Sequence, residues 1–147
     1  MRRHPQLPRT IVGGFFLSMG GVHLGIVFAD PQTYRHFADA ALLPFVRDGW
    51  ADVFMAAPVA WGLALCAGET VIGALLLAGG RAAKVGWCTA IAFHLLLMLF
   101  GWGFWLWSVP VLAALLVLAR SDWPGGAVRR ANRADRPSAF RRARSRL

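Results

Sequence analysis

The chain has 147 residues, 57% of them hydrophobic, with a formal charge of +9 at pH 7 and a mean hydropathy of +0.51. The apolar residues come in long blocks, which excludes an ordinary water-soluble domain and points to a membrane protein. The charge does not indicate nucleic acid: from Ser121 onward eight arginines face only Asp122 and Asp135, and no zinc spacing or helix-turn-helix pattern accompanies them.

The first apolar block, Ile11 to Ala29, follows Arg2, Arg3 and Arg9 and is long enough to cross a hydrocarbon layer once. Val27 and Ala29 resemble the small residues before a signal-peptide cleavage site. The run is nevertheless longer than the apolar core of such a peptide and contains His23, so a first transmembrane helix is preferred.

From Asp30 to Asp52 the chain turns polar, yet Tyr34, Phe37, Ala38, Ala41, Leu42 and Phe45 recur at helical spacing. With Asp30 as N-cap and Pro31 in the first turn, this predicts a short amphipathic helix on the outer membrane surface that ends before Pro44. An irregular loop packed on the bundle is the alternative.

A second span is expected at about 57–79, with Pro58 tolerated in its first turn and Gly79-Gly80-Arg81 as its stop. Between Lys84 and Arg120 there is no charged residue, a stretch too long for one crossing at ~1.5 Å per residue. It must fold back, best at Gly101-Trp102-Gly103. That gives spans at about 85–100 and 104–119, the latter kinked at Pro110.

Basic residues gather at the N-terminus, at Arg81 and Lys84, and from Arg120 onward, whereas the segment between the first two spans sets Arg35 and Arg47 against four aspartates. The positive-inside rule then puts both termini in the cytoplasm. Trp50, Trp102, Trp105 and Trp107 fall toward the outer interface, and Trp87 and Trp123 toward the inner one, as an aromatic belt requires. The expectation is an all-α integral membrane four-helix bundle, residues 1–120, with a short outer amphipathic segment and a disordered basic C-terminal tail, 121–147. In the cytoplasmic (inner) membrane of a bacterium that tail lies against anionic lipid, which makes the lipid bilayer its partner in preference to RNA.

Glu69 breaks a run that has no other charge between Asp52 and Arg81. Counted from the cytoplasmic helix ends, Glu69, His94 and His23 all fall about 13 to 18 Å deep, close to mid-membrane. Exposing such a group to lipid costs at least ~2.5 to 3.5 kcal/mol, so all three should face the interior. Cys66, three residues before Glu69, shares its face. Glu69 and His94 are the candidate proton-handling pair, with His23 and Cys66 as candidate ligand-binding residues. A glutamate and a histidine can pass protons or hydrogen-bond the oxygens of a quinone. The same layer can instead be structural and tie the helices in register.

Haem is disfavoured, because there is one histidine in each of two spans and no Cys-x-x-Cys-His sequence. No metal is assigned, since the spacing lacks a zinc signature. Cys66 and Cys88 differ in depth by roughly 15 Å, too far for a disulfide. Gly21 and Gly25 form a G-x-x-x-G around His23, and Gly62, Gly68 and Gly73 thin the second span; both patterns imply close helix packing within the monomer or in a homo-oligomer.

Glu69-Thr70-Val71-Ile72-Gly73-Ala74-Leu75-Leu76-Leu77-Ala78-Gly79-Gly80-Arg81 resembles the E-x-x-x-G-x-x-L-L-x-G motif, followed by a basic residue, of DoxX-like small membrane proteins. Gly20-Gly21-Val22-His23-Leu24 is similar to their first-helix G-x-x-K-L pattern, with histidine where lysine is common. The resemblance spans about residues 10–119 and implies four helices with an outer segment after the first. It also implies thiosulfate:quinone oxidoreduction or a membrane thiol-redox complex, with Glu69 and His23 at the family's acidic and basic positions. The expected function is that of a small membrane subunit in quinone- or thiol-linked redox chemistry, part of an oxidoreductase complex with a redox protein partner. A non-catalytic membrane adaptor or small-solute carrier is the alternative.

Overall fold

A computed structural model describes residues 6–123. Past Trp123 the expected basic tail lies outside the described residues, as do Arg2 and Arg3. Within them the chain is helical apart from short turns and has no strand. Helix α1 (Leu7–Ala29) leads into a 3-10 helix, Pro31–Ala38. A short α2 (Pro44–Gly49) runs on into a π-helical turn, Trp50–Phe54, and α3 (Pro58–Ala78), α4 (Gly80–Leu97) and α5 (Trp102–Asp122) complete the chain. Four helices are long and apolar enough to cross a bilayer, giving a multi-pass membrane protein with four spans.

The boundaries follow local chemistry. Pro8 and Pro58 occupy first turns, where a missing N–H costs nothing. Asp30 ends α1 and starts the next helix: its backbone N–H donates to Ile26, while its side chain accepts from the Gln32 N–H at 2.9 Å. Gly79 and Gly80 both have positive φ, 76° and 58°, and reverse the chain without a loop. For that reason α4 begins at Gly80, earlier than the expected residue 85, and Arg81 and Lys84 sit in its first turns. Gly101, with φ 88°, turns α4 into α5; a side chain there would collide with the Ala40 backbone carbonyl. Helix α5 continues through Pro110 and reaches Asp122, beyond the expected 119.

The segment between α1 and α3 is a short amphipathic helix, as expected, and its apolar face packs into the bundle. It starts at Asp30 and Pro31 as the capping residues dictate; Tyr34, Ala38 and Ala41 are buried in the bundle, and the chain reaches α3 through two further helical turns.

Helices α1 and α3 share the most extensive interface, followed by α3 with α4 and α4 with α5, whereas α5 barely touches α1. Glycines let α1 and α3 approach closely. A Cβ on Gly73 would come within 2.7 Å of the Gly13 carbonyl oxygen, and one on Gly20 within 2.8 Å of Thr70 Oγ1. Gly21 and Gly25 face away, with nothing near them, so the G-x-x-x-G is not the contact that joins these helices.

One core cluster, built on Val12, Phe16, Ile72, Leu76, Trp87, Ala90, Leu115 and Ala119, fills the half of the bundle next to the Gly79-Gly80 turn. Arg9 pairs with Asp122 at 3.3 Å at that end, and the Trp87 indole N–H donates to the same carboxylate at 2.9 Å. Trp87 is therefore a core residue, 1% exposed, and not the interfacial belt residue its position in sequence suggested. A second cluster, Val27, Tyr34 and Phe54, closes the opposite end. The space between the two clusters positions the site.

Candidate functional site

Glu69, His23 and His94 are all buried, at 3%, 7% and 1% exposed, and all three line one cavity of about 450 Å³. The shared depth expected for them is thus a shared chamber. Cys66 is half-buried and does not line it; both cysteines are free thiols. Among the described residues no three histidine, cysteine or acidic side chains gather closely enough to hold a metal ion.

Each polar group is oriented by its neighbours. His23 Nδ1 lies 2.8 Å from the Tyr34 hydroxyl, and the two rings stack with centroids 5.7 Å apart. That contact turns His23 Nε2 toward Glu69 Oε1, at 3.6 Å, within ion-pair reach but longer than a hydrogen bond. The Tyr34 hydroxyl has a second, weaker acceptor in the His23 backbone carbonyl at 3.4 Å. The couple therefore accommodates both histidine tautomers. With the proton on Nε2, Tyr34 donates to Nδ1; with it on Nδ1, the ring donates to the Tyr34 oxygen and the hydroxyl swings to the carbonyl.

His94 is fixed differently. Its Nδ1 sits 3.0 Å from the Ala90 carbonyl, an oxygen that only accepts, so Nδ1 carries the hydrogen and Nε2 is the free ring nitrogen. Phe16 and Phe93 meet its ring edge-on, with centroids 5.9 and 5.7 Å away.

Glu69 is left incomplete. Its Oε2 is buried without a hydrogen-bond partner, one of two such side-chain atoms among the described residues, the other being Ser108 Oγ. A buried acceptor without a donor costs about 1–3 kcal/mol. Here that acceptor belongs to a cavity wall that is otherwise overwhelmingly apolar.

The rest of the wall is aromatic. Phe15, Phe16, Phe93 and Trp107 surround the chamber, and Phe37, Trp50, Phe100 and Phe104 close its end. Those last four form a ring of mutual contacts, with successive centroids 6.2, 5.0, 5.4 and 6.0 Å apart. The Trp50 indole N–H donates to the Tyr34 carbonyl at 2.8 Å and ties this cap to the residue that orients His23.

Sequence reasoning missed Tyr34 as a site residue, placing it on the apolar face of a surface helix. Its being the chain's single tyrosine, directly after the first span, was the available signal, since a buried phenol needs a polar partner. Burial, and after it the proximity of Glu69 and Cys66, raises the Tyr34 pKa above the usual 10 and keeps it a phenol. Comparison with known protein families, curated proteins and solved structures gives no match to this chain.

Proposed function

We propose that this chain is a membrane subunit that binds a quinol within the bilayer and takes up the protons released on its oxidation. The observation that carries this reading is the unpartnered Oε2 of Glu69 in the wall of an aromatic chamber. A polar layer that served only to hold helices in register would spend its acceptors on its own donors, as the buried polar groups of proteins do. An acceptor left open beside apolar rings instead suits a ligand with a flat ring and a hydroxyl. His94 Nε2 is a second acceptor on the same wall, so the reduced form, which carries two donors, is the form that complements the site.

Oxidation of a quinol to a quinone releases two protons and two electrons. Glu69 and His94 receive the protons, and the electrons pass to the redox centre of a partner protein. Tyr34 and His23 set the Glu69 side: the Tyr34 hydroxyl orients the His23 ring, whose Nε2 faces Glu69 Oε1. The similarity of the Glu69–Arg81 stretch to the DoxX-like motif agrees with quinone-linked chemistry. A thiol-linked role draws less support, because Cys66 lies outside the cavity lining and Cys88 on the exposed surface. In this reading the Arg9–Asp122 end lies in the cytoplasm of a bacterium and the Tyr34 cap outside, an orientation supported by Arg9, Arg81 and Lys84 gathering at the first end.

The test is purification in nanodiscs with native lipid, followed by mass spectrometry of extracted quinones and titration with a short-chain quinol monitored by tryptophan fluorescence. Glu69→Gln is expected to weaken binding at least tenfold and His94→Ala by a smaller factor. Absence of any copurified quinone together with unchanged titration of Glu69→Gln overturns the reading.

A further inference from the structure

The cavity has walls of unequal kind. At the Arg9 end it is floored by the core cluster around Phe16 and Trp87, and at the other end the four-membered aromatic ring of Phe37, Trp50, Phe100 and Phe104 covers it. The side between α1 and α5 differs. These two helices are pinned together by Arg9 and Asp122 at one end and scarcely touch elsewhere; Phe15 and Trp107 approach each other there only as a tilted pair, centroids 5.8 Å apart. Three residues that line the chamber also keep much of their surface open: Val22 is 49% exposed, Trp107 50% and Leu96 60%. In a four-span bundle that open side faces lipid, not water.

From this geometry we infer that the ligand is a long-tailed lipid, with its ring head at Glu69 and its hydrocarbon chain leaving the chamber between α1 and α5 into the bilayer. The inference rests on the proposed quinol reading for the chemistry of the head and on the open α1/α5 side for the tail. A chamber of about 450 Å³ lies at the small end of the range for ligand pockets and accommodates a substituted ring, but not a chain of tens of carbons as well. A chain that lies in lipid outside the protein loses no apolar burial, so the opening toward the bilayer carries no solvation cost. The Arg9–Asp122 pin keeps the gap at one level of the membrane and prevents the two helices from parting along their whole length.

The experiment uses the full chain in nanodiscs of synthetic phospholipid, in a Cys66→Ser, Cys88→Ser background that carries Phe15→Cys and Trp107→Cys. The two new thiols are joined by a short bis-maleimide. The probes are a dimethoxybenzoquinol with a decyl chain and its counterpart without the chain. The expected results are at least tenfold tighter binding of the chain-bearing probe, blocked entry when the bridge is closed before it is added, and trapping when the bridge is closed afterwards. Equal binding of the two probes, with exchange indifferent to the bridge, overturns the tail route while leaving the head site standing. If neither quinol binds to wild type, the head assignment fails, and a phospholipid with a diazirine at its chain end decides the route by itself. Labelling of the Phe93-His94 segment upholds a chain-admitting gap, and its absence overturns it.

Discussion

The two halves of this bundle are built on opposite terms. Toward the Arg9 end Asp122 accepts from both Arg9 and the Trp87 indole, and around them lies a continuous core. Toward the Tyr34 cap, side chains of comparable size surround empty space, and a carboxylate oxygen is buried with nothing to bond. In lipid, helices gain little by leaving water and associate through close packing and hydrogen bonds, so the filled half holds the bundle together. The other half gives up packing for a chamber lined by Glu69, His23 and His94.

If that division is right, the largest loss of stability follows from emptying the filled half. Trp87→Ala removes a fully buried indole and leaves Asp122 short of a donor; about 3 kcal/mol should be lost, the low end for such a truncation because the reference state also lies in lipid. Reversible unfolding in mixed micelles measures it. Asp122→Ala unpins α1 from α5 and strands the Trp87 N–H, with an expected loss of about 2 kcal/mol. A change below ~0.5 kcal/mol for either variant contradicts the division.

The chamber half should respond with the opposite sign. Glu69→Leu removes the orphaned acceptor and fills part of the void with apolar atoms, so a gain of about 1 to 2 kcal/mol is expected, along with loss of ligand binding. The same unfolding assay checks the gain, and the fluorescence titration checks the loss. A destabilised Glu69→Leu that still binds would make Glu69 a structural residue and return the polar layer to the adaptor alternative.

Much of this division was legible in the chain. Four spans follow from apolar block length, and the common depth of His23, Glu69 and His94 follows from counting residues at the helical rise, since a membrane fixes where such counts begin. The turn at Gly101-Trp102-Gly103 was readable because the uncharged stretch from 85 to 119 is too long for one crossing and has to fold back. Other features were not, for physical reasons. A helix that is apolar all round carries no moment to say which face turns inward, so the convergence of α1, α3 and α4 on one chamber required coordinates. The same ambiguity hid the choice of Gly13, Gly20 and Gly73 over Gly21 and Gly25 for the α1–α3 contact. Trp87 looked like a belt residue because its depth was right, and only its bond to Asp122, 35 residues away, shows that it points inward. The aromatic cap joins Phe37, Trp50 and the Phe100/Phe104 pair from three separate stretches of chain, a long-range pairing that no local pattern announces.

The smallest expected effect lies where the two halves meet water differently, at Tyr34. Tyr34→Phe leaves His23 Nδ1 without its hydroxyl partner and should cost about 1 kcal/mol near neutral pH. Its pH dependence is more telling. Burial, reinforced by Glu69 and Cys66, disfavours the phenolate, so the folded protein holds this proton more tightly than the unfolded chain does. The contribution is therefore fully present below the unfolded value of about 10 and is lost as the pH rises through the higher folded value. Because the chain has one tyrosine, phenolate absorbance reports this site alone. The absorbance should appear only above the pH at which an exposed phenol ionises, and wild type should lose stability over that interval while Tyr34→Phe does not. Ionisation at the ordinary value, with parallel stability curves for the two proteins, would mean that the cap admits water to Tyr34, and the closed end of the chamber would then be its entrance.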